Sequence, residues 1–505
     1  MADTKREIER KFEFKNDKAG RRGVPDLTGT AAIAAVTDQG TVDLDAVYYD
    51  TADQRLASDG LTLRRRTGGK DAGWHLKLPV APGVRDEITT PLSDTVPPSL
   101  TGLLRSRLRD APLEPQVRLL SSRKVSHLLD ADGALLAELS TDAVRAERLG
   151  ATAAWTEVEV ELADGIDPEL LDAVEKAFHA SGLRVSDSPS KLARALTETG
   201  AQPPARPAPG PDDGTTGAHV LSYLREQRDT LIAQDPAVRR DLPDSVHRMR
   251  VATRRLRSAF KTYRRILDPE ETGPLGEELR WLAAELGVDR DQEVLMERIR
   301  TRLGDVPRTL RLGPLGARLK IWNTTRRTAT RRAALAALDS RRYVALLNGL
   351  DALLADPPLL EAAGRPAETA LPKAVLADYG RLADRVETAL AMEPGPDRDV
   401  ALHEARKKAK RARYAAEAAA PALGKPARRL AKSVKAVQSL LGDHQDSVVA
   451  RQALRGLAVQ AAGAGESAFT WGVLYAREEE TAARRERELP QAWEATAARA
   501  AALRG

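Results

Sequence analysis

KREIERKFEF, residues 5–14, decides how the first half of the chain folds. Within it Glu7, Glu9 and Lys11 alternate with Ile8, Arg10 and Phe12. In an extended strand, side chains at i, i+2 and i+4 point to one side, so two carboxylates and an amine would stand in a row. Taken alone, the decapeptide also suits the first turns of a charged surface helix, because Lys, Arg and Glu are good helix formers. The neighbouring segments favour the strand. VYYDT (47–51), LTLRRRT (61–67), GWHLKLP (73–79), LLAELST (135–141) and WTEVEVEL (155–162) alternate in the same way, separated by turn signals such as SDG and DADG. Arg64 and Arg66 share one strand face, His75 and Lys77 another, and Glu157, Glu159 and Glu161 a third, with Val158 and Val160 opposite. Several strands with dense charge on one side and apolar residues on the other are reconciled by an antiparallel β-barrel. Its charged faces look at each other, and at a charged ligand.

The chain has 505 residues, enough for two to four domains by usual domain sizes, and a formal net charge of +6. It has no cysteine, which excludes disulfides and thiolate chemistry, and no apolar run of membrane-spanning length, so a cytoplasmic protein without a membrane partner is expected. From Thr199 to Gly217 it reads TGAQPPARPAPGPDDGTTG, a Pro/Gly-rich stretch unsuited to helix or central strand. The expected domains are residues 1–200, a linker over 201–217, and residues 218–505. The last part is rich in Ala, Leu, Arg and Glu at a period near 3.6 and reads as all-α, so the fold class is α+β. In the barrel, clustered Arg and Lys suit phosphate oxygens, and clustered carboxylates suit Mg²⁺ or Mn²⁺.

These residues reach a known family. Glu7-Ile8-Glu9-Arg10-Lys11 resembles the ExExK signature of the CYTH superfamily, the triphosphate tunnel metalloenzymes. YYDT at 48–51, LRRR at 63–66, the strand ending in Lys77, Arg118 and Arg123, Glu138 followed by Asp142, EVEVE at 157–161 and SPSKLAR at 188–194 follow in the family's order. The resemblance covers about residues 1–200. It implies an eight-stranded antiparallel tunnel in which Lys11, Arg64, Arg66, Lys77, Arg123 and Lys191 contact a triphosphate substrate. Glu7, Glu9, Glu138, Glu157, Glu159 and Glu161 become candidates for holding Mg²⁺ or Mn²⁺ and orienting a water. Since Mg²⁺ usually takes one or two protein carboxylates, the six are not all ligands at once. Arg118 and Arg123 have opposite parity, and Arg123 is favoured for the lumen. His75 reads as an ordinarily hydrogen-bonded strand histidine.

The helical half repeats itself. VHRMRVATRRLRSAFKTY (246–263) aligns with LHEARKKAKRARYAAEAA (402–419), setting His247, Arg250, Arg254 and Arg257 against His403, Arg406, Lys410 and Arg413. Further on, LGVDRDQEV (286–294) aligns with LGDHQDSVV (441–449). Positions i, i+3, i+7 and i+10 lie on one helical face, so each repeat carries an almost purely cationic stripe. Beside it runs a packing stripe: Val246, Met249, Leu256, Phe260 and Tyr263 in the first repeat, and Leu402, Ala405, Ala409, Ala412 and Ala416 in the second. Asp291 and Asp446 are expected to pin or cap helices. The pattern resembles the CHAD domain, which implies two repeated four-helix bundles whose basic faces bind inorganic polyphosphate through these eight positions and Lys435, the counterpart of Arg280.

The resulting expectation is a metal-dependent triphosphatase carrying a polyphosphate-binding module, in the cytoplasm and in association with polyphosphate granules. The alternatives are a non-catalytic polyphosphate-granule docking protein, or an enzyme like class IV adenylate cyclase or thiamine triphosphatase. Five Phe, eight Tyr and six Trp, with no interleaved aromatic and basic run, disfavour nucleic acid as the partner.

Overall fold

The computed structural model describes residues 3–201 and 214–503, apart from the side chains at 17, 288–293 and 323–330. The chain forms two compact units, Met1–Ala208 and Pro209–Gly505. Most of the expected linker therefore lies outside the described residues. At its margins Ala201 is buried in the first unit, and Thr216 and Gly217 already form the first turn of a helix.

The first unit is built on strands β1 (Asp3–Phe14), β2 (Ala35–Asp50), β3 (Thr62–Thr67), β4 (Gly73–Ala81), β5 (Val84–Thr90), β6 (Glu114–Leu129), β7 (Leu135–Arg148), β8 (Ala151–Leu162) and β9 (Leu183–Val185). Their order is β5-β4-β3-β2-β6-β7-β8-β1, and β5 pairs again with β1 from Asp3 opposite Thr89 to Ile8 opposite Val84. The result is an eight-strand antiparallel ring, with β9 added along the end of β1. Closure leaves the ring strands no free edge. Between the strands lie helices α1 (Asp17–Arg22), α2 (Arg55–Ser58), α3 (Pro98–Leu108), α4 (Glu169–Ala180) and α5 (Lys191–Glu198).

Period-two patterning sends one row of apolar residues on the strands to the outside of the ring. Leu63, Trp74, Leu76 and Ile88 pack against Leu100 and Leu104 of α3. Phe12, Leu139, Val158 and Val160 pack against Leu170, Val174 and Phe178 of α4. Directly paired residues share a face, so the rows Lys77–Glu87, Arg123–Asp142–Glu157 and Lys11–Glu159 turn inward. The inner face is not charged throughout. Ala46, Tyr48, Leu119, Val144 and Trp155 lie on it, and they hold Leu192, Ala195 and Leu196 of α5. One end of the lumen is thus filled by a helix, whose first residue is Lys191.

The second unit is helical: α6 (Thr216–Arg239), α7 (Ser245–Thr262), α8 (Pro269–Glu285), α9 (Gly287–Gly304), α10 (Leu315–Asp339), α11 (Arg341–Ala355), α12 (Ala367–Leu390), α13 (Pro396–Leu423), α14 (Lys425–Gly463) and α15 (Phe469–Ala501). Met249, Leu256, Phe260 and Tyr263 on α7, and all five apolar residues anticipated on α13, are buried in one core that draws on both repeats. Val246 packs against that core from its edge. The repeats differ in one respect. The second runs unbroken through Gly442 in α14, whereas the first divides into α8 and α9 at Gly287, whose carbonyl accepts from Arg250 Nη1 at 3.1 Å. Asp446 therefore sits inside a long helix and caps nothing; it lies 3.5 Å from Arg406. The side chain of Asp291 lies outside the described residues.

Candidate functional site

Inside the ring, cations and carboxylates pair in separate groups along the wall. Lys191 lies 2.7 Å from both Glu157 and Glu159 and 2.9 Å from Asp142. Arg123 meets Asp142 through two hydrogen bonds of 2.7 and 2.8 Å and Glu159 at 3.0 Å. Lys11 pairs with Glu159, and with Glu9 at 3.3 Å. Across the lumen, Lys77 lies 2.6 Å from Glu7 and 3.7 Å from Glu87. Arg64 lies 3.5 Å from Glu87 and donates to the Tyr48 hydroxyl at 3.3 Å, while Arg66 pairs with Asp71.

The structure separates the sequence candidates into groups. Asp142, Glu157 and Glu159 are buried, and each offers an oxygen within 4.8 Å of the others. Glu7 and Glu9 are also buried, on the β1 wall. Glu161 pairs with Lys5, and Glu138 is half-exposed, 4.0 Å from His127; both sit away from the triad. Arg118 is outside the lumen on an exposed pair with Asp45. His75 is buried, with Nδ1 3.0 Å from Glu87 and Nε2 2.9 Å from the Asp71 carbonyl oxygen. Three residues were not among the chosen candidates: Asp142, Glu87 and Tyr48. Parity contained the signal for two of them, since Asp142 shares a face with Glu138, and Glu87 shares one with Arg85 in VRDEITT.

The electrostatics follow from burial. Burial pushes the Glu7 carboxyl up to about 7, against the pull of Lys77, with Glu87 and Glu161 adding to the rise. For Glu159 burial is outweighed by Lys11, Lys191 and Arg123, which hold it well below the carboxylate range. Burial is likewise overcome at Lys191, where Glu159, Asp142 and Glu157 keep the amine charged. Arg66 is pushed down to about 9 by burial and by Arg64 and Arg123. A ring with an apolar interior would fold at least as well, since replacing a buried ion pair by packed apolar groups is often neutral or stabilising by ~1–4 kcal/mol. So much charge kept in a lumen points to a ligand that carries both signs, a polyanion with bound cations. The oxygen-only donors of Asp142, Glu157 and Glu159 fit a hard divalent ion.

In the helical unit the two helices that carry the stripes meet. α13 packs beside α7, with Arg255 2.9 Å from Glu417 and Arg411 donating to the Lys261 carbonyl at 2.7 Å; burial pushes the Lys410 amine down to about 7, helped by Arg406, Arg254 and Arg250 and opposed by Asp446. Arg250, Arg254, Arg257, His403, Arg406 and Arg413 are half-buried, and His247 and Lys435 are exposed. Arg413 is held by Glu417 at 2.6 Å and Gln438 at 3.3 Å. Lys410 gives the surface a pH dependence. The amine is charged below about 7, so any polyanion seated on it is expected to bind less tightly as pH rises above that value, the loss levelling off only once the amine has given up its proton in the complex as well. Titrations with polyphosphate between about pH 6 and pH 8 would check this, and Lys410→Met should flatten the dependence.

Residues 5–196 match the CYTH domain family and residues 222–455 the CHAD domain family. The Mycobacterium tuberculosis proteins MT2285 and Rv2226 are each 38% identical over 514 residues, covering 96% of this chain and 95% of theirs. Among solved structures, PptA from Streptomyces chartreusis is similar at 24% identity and a TM-score of 0.46, over 55% of this chain and 99% of its own. The adenylyl cyclase-like HpAC1 from Hippeastrum, described as having a dominant triphosphatase activity, is similar at 21% identity and a TM-score of 0.25, over 39% of this chain and 98% of its own. The chain belongs to the CYTH–CHAD proteins, with a CYTH domain in its first unit and a CHAD domain in its second.

Proposed function

We propose that this protein is a metal-dependent triphosphatase that hydrolyses inorganic tripolyphosphate or a similar triphosphate, and that its helical domain binds inorganic polyphosphate. The observation that carries the first part is the buried array in which Lys11, Arg64, Arg66, Lys77, Arg123 and Lys191 face Glu7, Glu9, Asp142, Glu157 and Glu159. In this reading the ring is a barrel whose lumen is the triphosphate tunnel.

The cations bind the phosphate oxygens, Arg through its planar fork and Lys as a point charge, and neutralise charge that develops on the leaving group. Asp142, Glu157 and Glu159 would hold Mg²⁺ or Mn²⁺, which would supply Lewis-acid neutralisation of phosphate charge. Glu7 and Glu9 stand on the adjoining strand β1, which pairs with β8; Glu7, its carboxyl pushed up to about 7, is suited to orient a water and accept its proton. Because α5 fills one end, substrate enters from the other, which suits a short chain or a free chain end.

Arg64→Ala and Lys77→Ala test the assignment. Each is expected to lower kcat/KM for tripolyphosphate by about 2–4 kcal/mol of transition-state stabilisation, the scale of a lost preorganised contact. Unchanged kinetics in both variants would mean the lumen is not the site. The polyphosphate part rests on the two almost purely cationic stripes carried by α7 and α13, helices that meet at Arg255–Glu417 and Arg411–Lys261. With it goes the expectation that the protein sits in the cytoplasm on polyphosphate granules; among the described residues no helix is long and apolar enough to cross a membrane.

A further inference from the structure

The two repeats of the CHAD domain share a fold but not a charge pattern on one pair of equivalent helices. On α14 the exposed positions Lys425, Arg428, Arg429, Lys432 and Lys435 are all cationic. Their counterparts on α8, by the alignment that sets Lys435 against Arg280, are Glu270, Gly273, Pro274, Glu277 and Arg280. The buried positions between them correspond: Leu279 and Val434, Leu282 and Val437, and Leu286 and Leu441 are all core residues. The fold therefore does not demand the cations, because α8 buries the same face without them. On α8 the one cation is tied to Glu277 at 2.5 Å, whereas among the described residues none of these five α14 cations enters an ion pair. Ordinary solvated helix faces mix signs, and this one does not.

The stripe is also continuous with the groove. On α13 the cationic row ends after Arg413, because Glu417 follows one turn later and is occupied by Arg255 at 2.9 Å and Arg413 at 2.6 Å. At that point α14 comes alongside, with Gln438 3.3 Å from Arg413. Arg428, Lys435 and Gly442 are spaced by sevens and lie along one side of α14. A Cβ at Gly442 would stand 3.7 Å from the Arg406 guanidinium, so this side of α14 faces the groove.

Building on the polyphosphate reading above, we infer that α14 is a one-sided exit lane for the polymer. A polyphosphate chain seated on Arg406 and Lys410 leaves the groove over Lys435, Lys432, Arg428 and Lys425, and no equivalent lane exists over α8. The lane selects for length, since a short oligophosphate ends inside the groove and only a long chain reaches α14. Neutralised phosphates release counterions, so each lane contact adds to the salt dependence of long-chain binding.

The experiment compares the intact protein with the variant Lys425→Ala, Arg428→Ala, Arg429→Ala, Lys432→Ala, on a long polyphosphate and on a short oligophosphate over a range of salt. These positions are exposed and away from the packing stripe, and thermal melting checks that folding is unchanged. Long-chain affinity is expected to fall about tenfold or more with a shallower salt slope, and short-chain affinity to stay within about twofold. Unchanged long-chain affinity, or equal losses on both ligands, would overturn the lane. The groove variant described in the Discussion separates the two ideas: if it also binds as tightly as the parent, the polyphosphate reading fails with the lane. If it alone loses binding, only the lane fails.

Discussion

Glu157→Gln combined with Glu159→Gln is expected to lower divalent-dependent tripolyphosphate hydrolysis by about a thousandfold or more, because it removes two of the three clustered carboxylates while keeping their shape. The change reaches further than lost charge. Lys191 contacts both carboxylates at 2.7 Å, and Asp142 alone would remain to hold it. Leaving a buried ammonium underpaired costs about 3–5 kcal/mol, so the folded protein should also melt earlier. Lys191→Met added to the same background removes the stranded charge and should recover stability without recovering activity. That split between melting temperature and rate distinguishes a site from a structural ion-pair cluster. Recovery of both by the third substitution would assign the network to folding alone.

Alanine at Arg250, Arg254, Arg406 and Lys410 together is expected to reduce long-chain polyphosphate affinity by roughly a hundredfold and to flatten its salt dependence, since these side chains belong to the cationic stripes of two helices that meet. The bundle should stay folded, because its core uses Met249, Ala252, Leu256, Ala405, Ala409 and Ala412 on the neighbouring face. Isothermal titration at several salt concentrations reads the slope directly. Duplex DNA at equal phosphate concentration serves as the comparison, and equal affinity for it in the parent protein would mark the surface as a generic polyanion binder. Tripolyphosphate hydrolysis by this variant should match the parent, since the residues replaced lie in the other unit.

The sequence made the architecture legible where a period repeats. Alternation in KREIERKFEF and WTEVEVEL separates Phe12, Val158 and Val160, which α4 covers, from Lys11, Glu157 and Glu159, which face the lumen. The 3.6 period in α7 and α13 likewise separates core from cation. Isolated residues were harder to read. Asp142 stands among Ser140 and Val144 on its inward row, so no run of charge announces it, and only the register with Arg123 and Glu157 brings it into the network. Glu87 depends in the same way on pairing with Lys77. The seating of α5 in the ring could not be read locally, because its apolar face of Leu192, Ala195 and Leu196 would suit an outer layer equally well. Nor does the pattern shared by LGVDRDQEV and LGDHQDSVV tell a helix break at Gly287 from an unbroken helix through Gly442.

The most direct test is phosphate release from tripolyphosphate, ATP and long-chain polyphosphate by the intact protein, each with Mg²⁺, with Mn²⁺ and with chelator. Rapid metal-dependent release from tripolyphosphate with ATP left largely intact is the expected result. Cyclic AMP and pyrophosphate formed from ATP would contradict it in favour of a cyclase, and no release from any of the three would leave a polyphosphate-docking protein whose charged lumen does no hydrolysis.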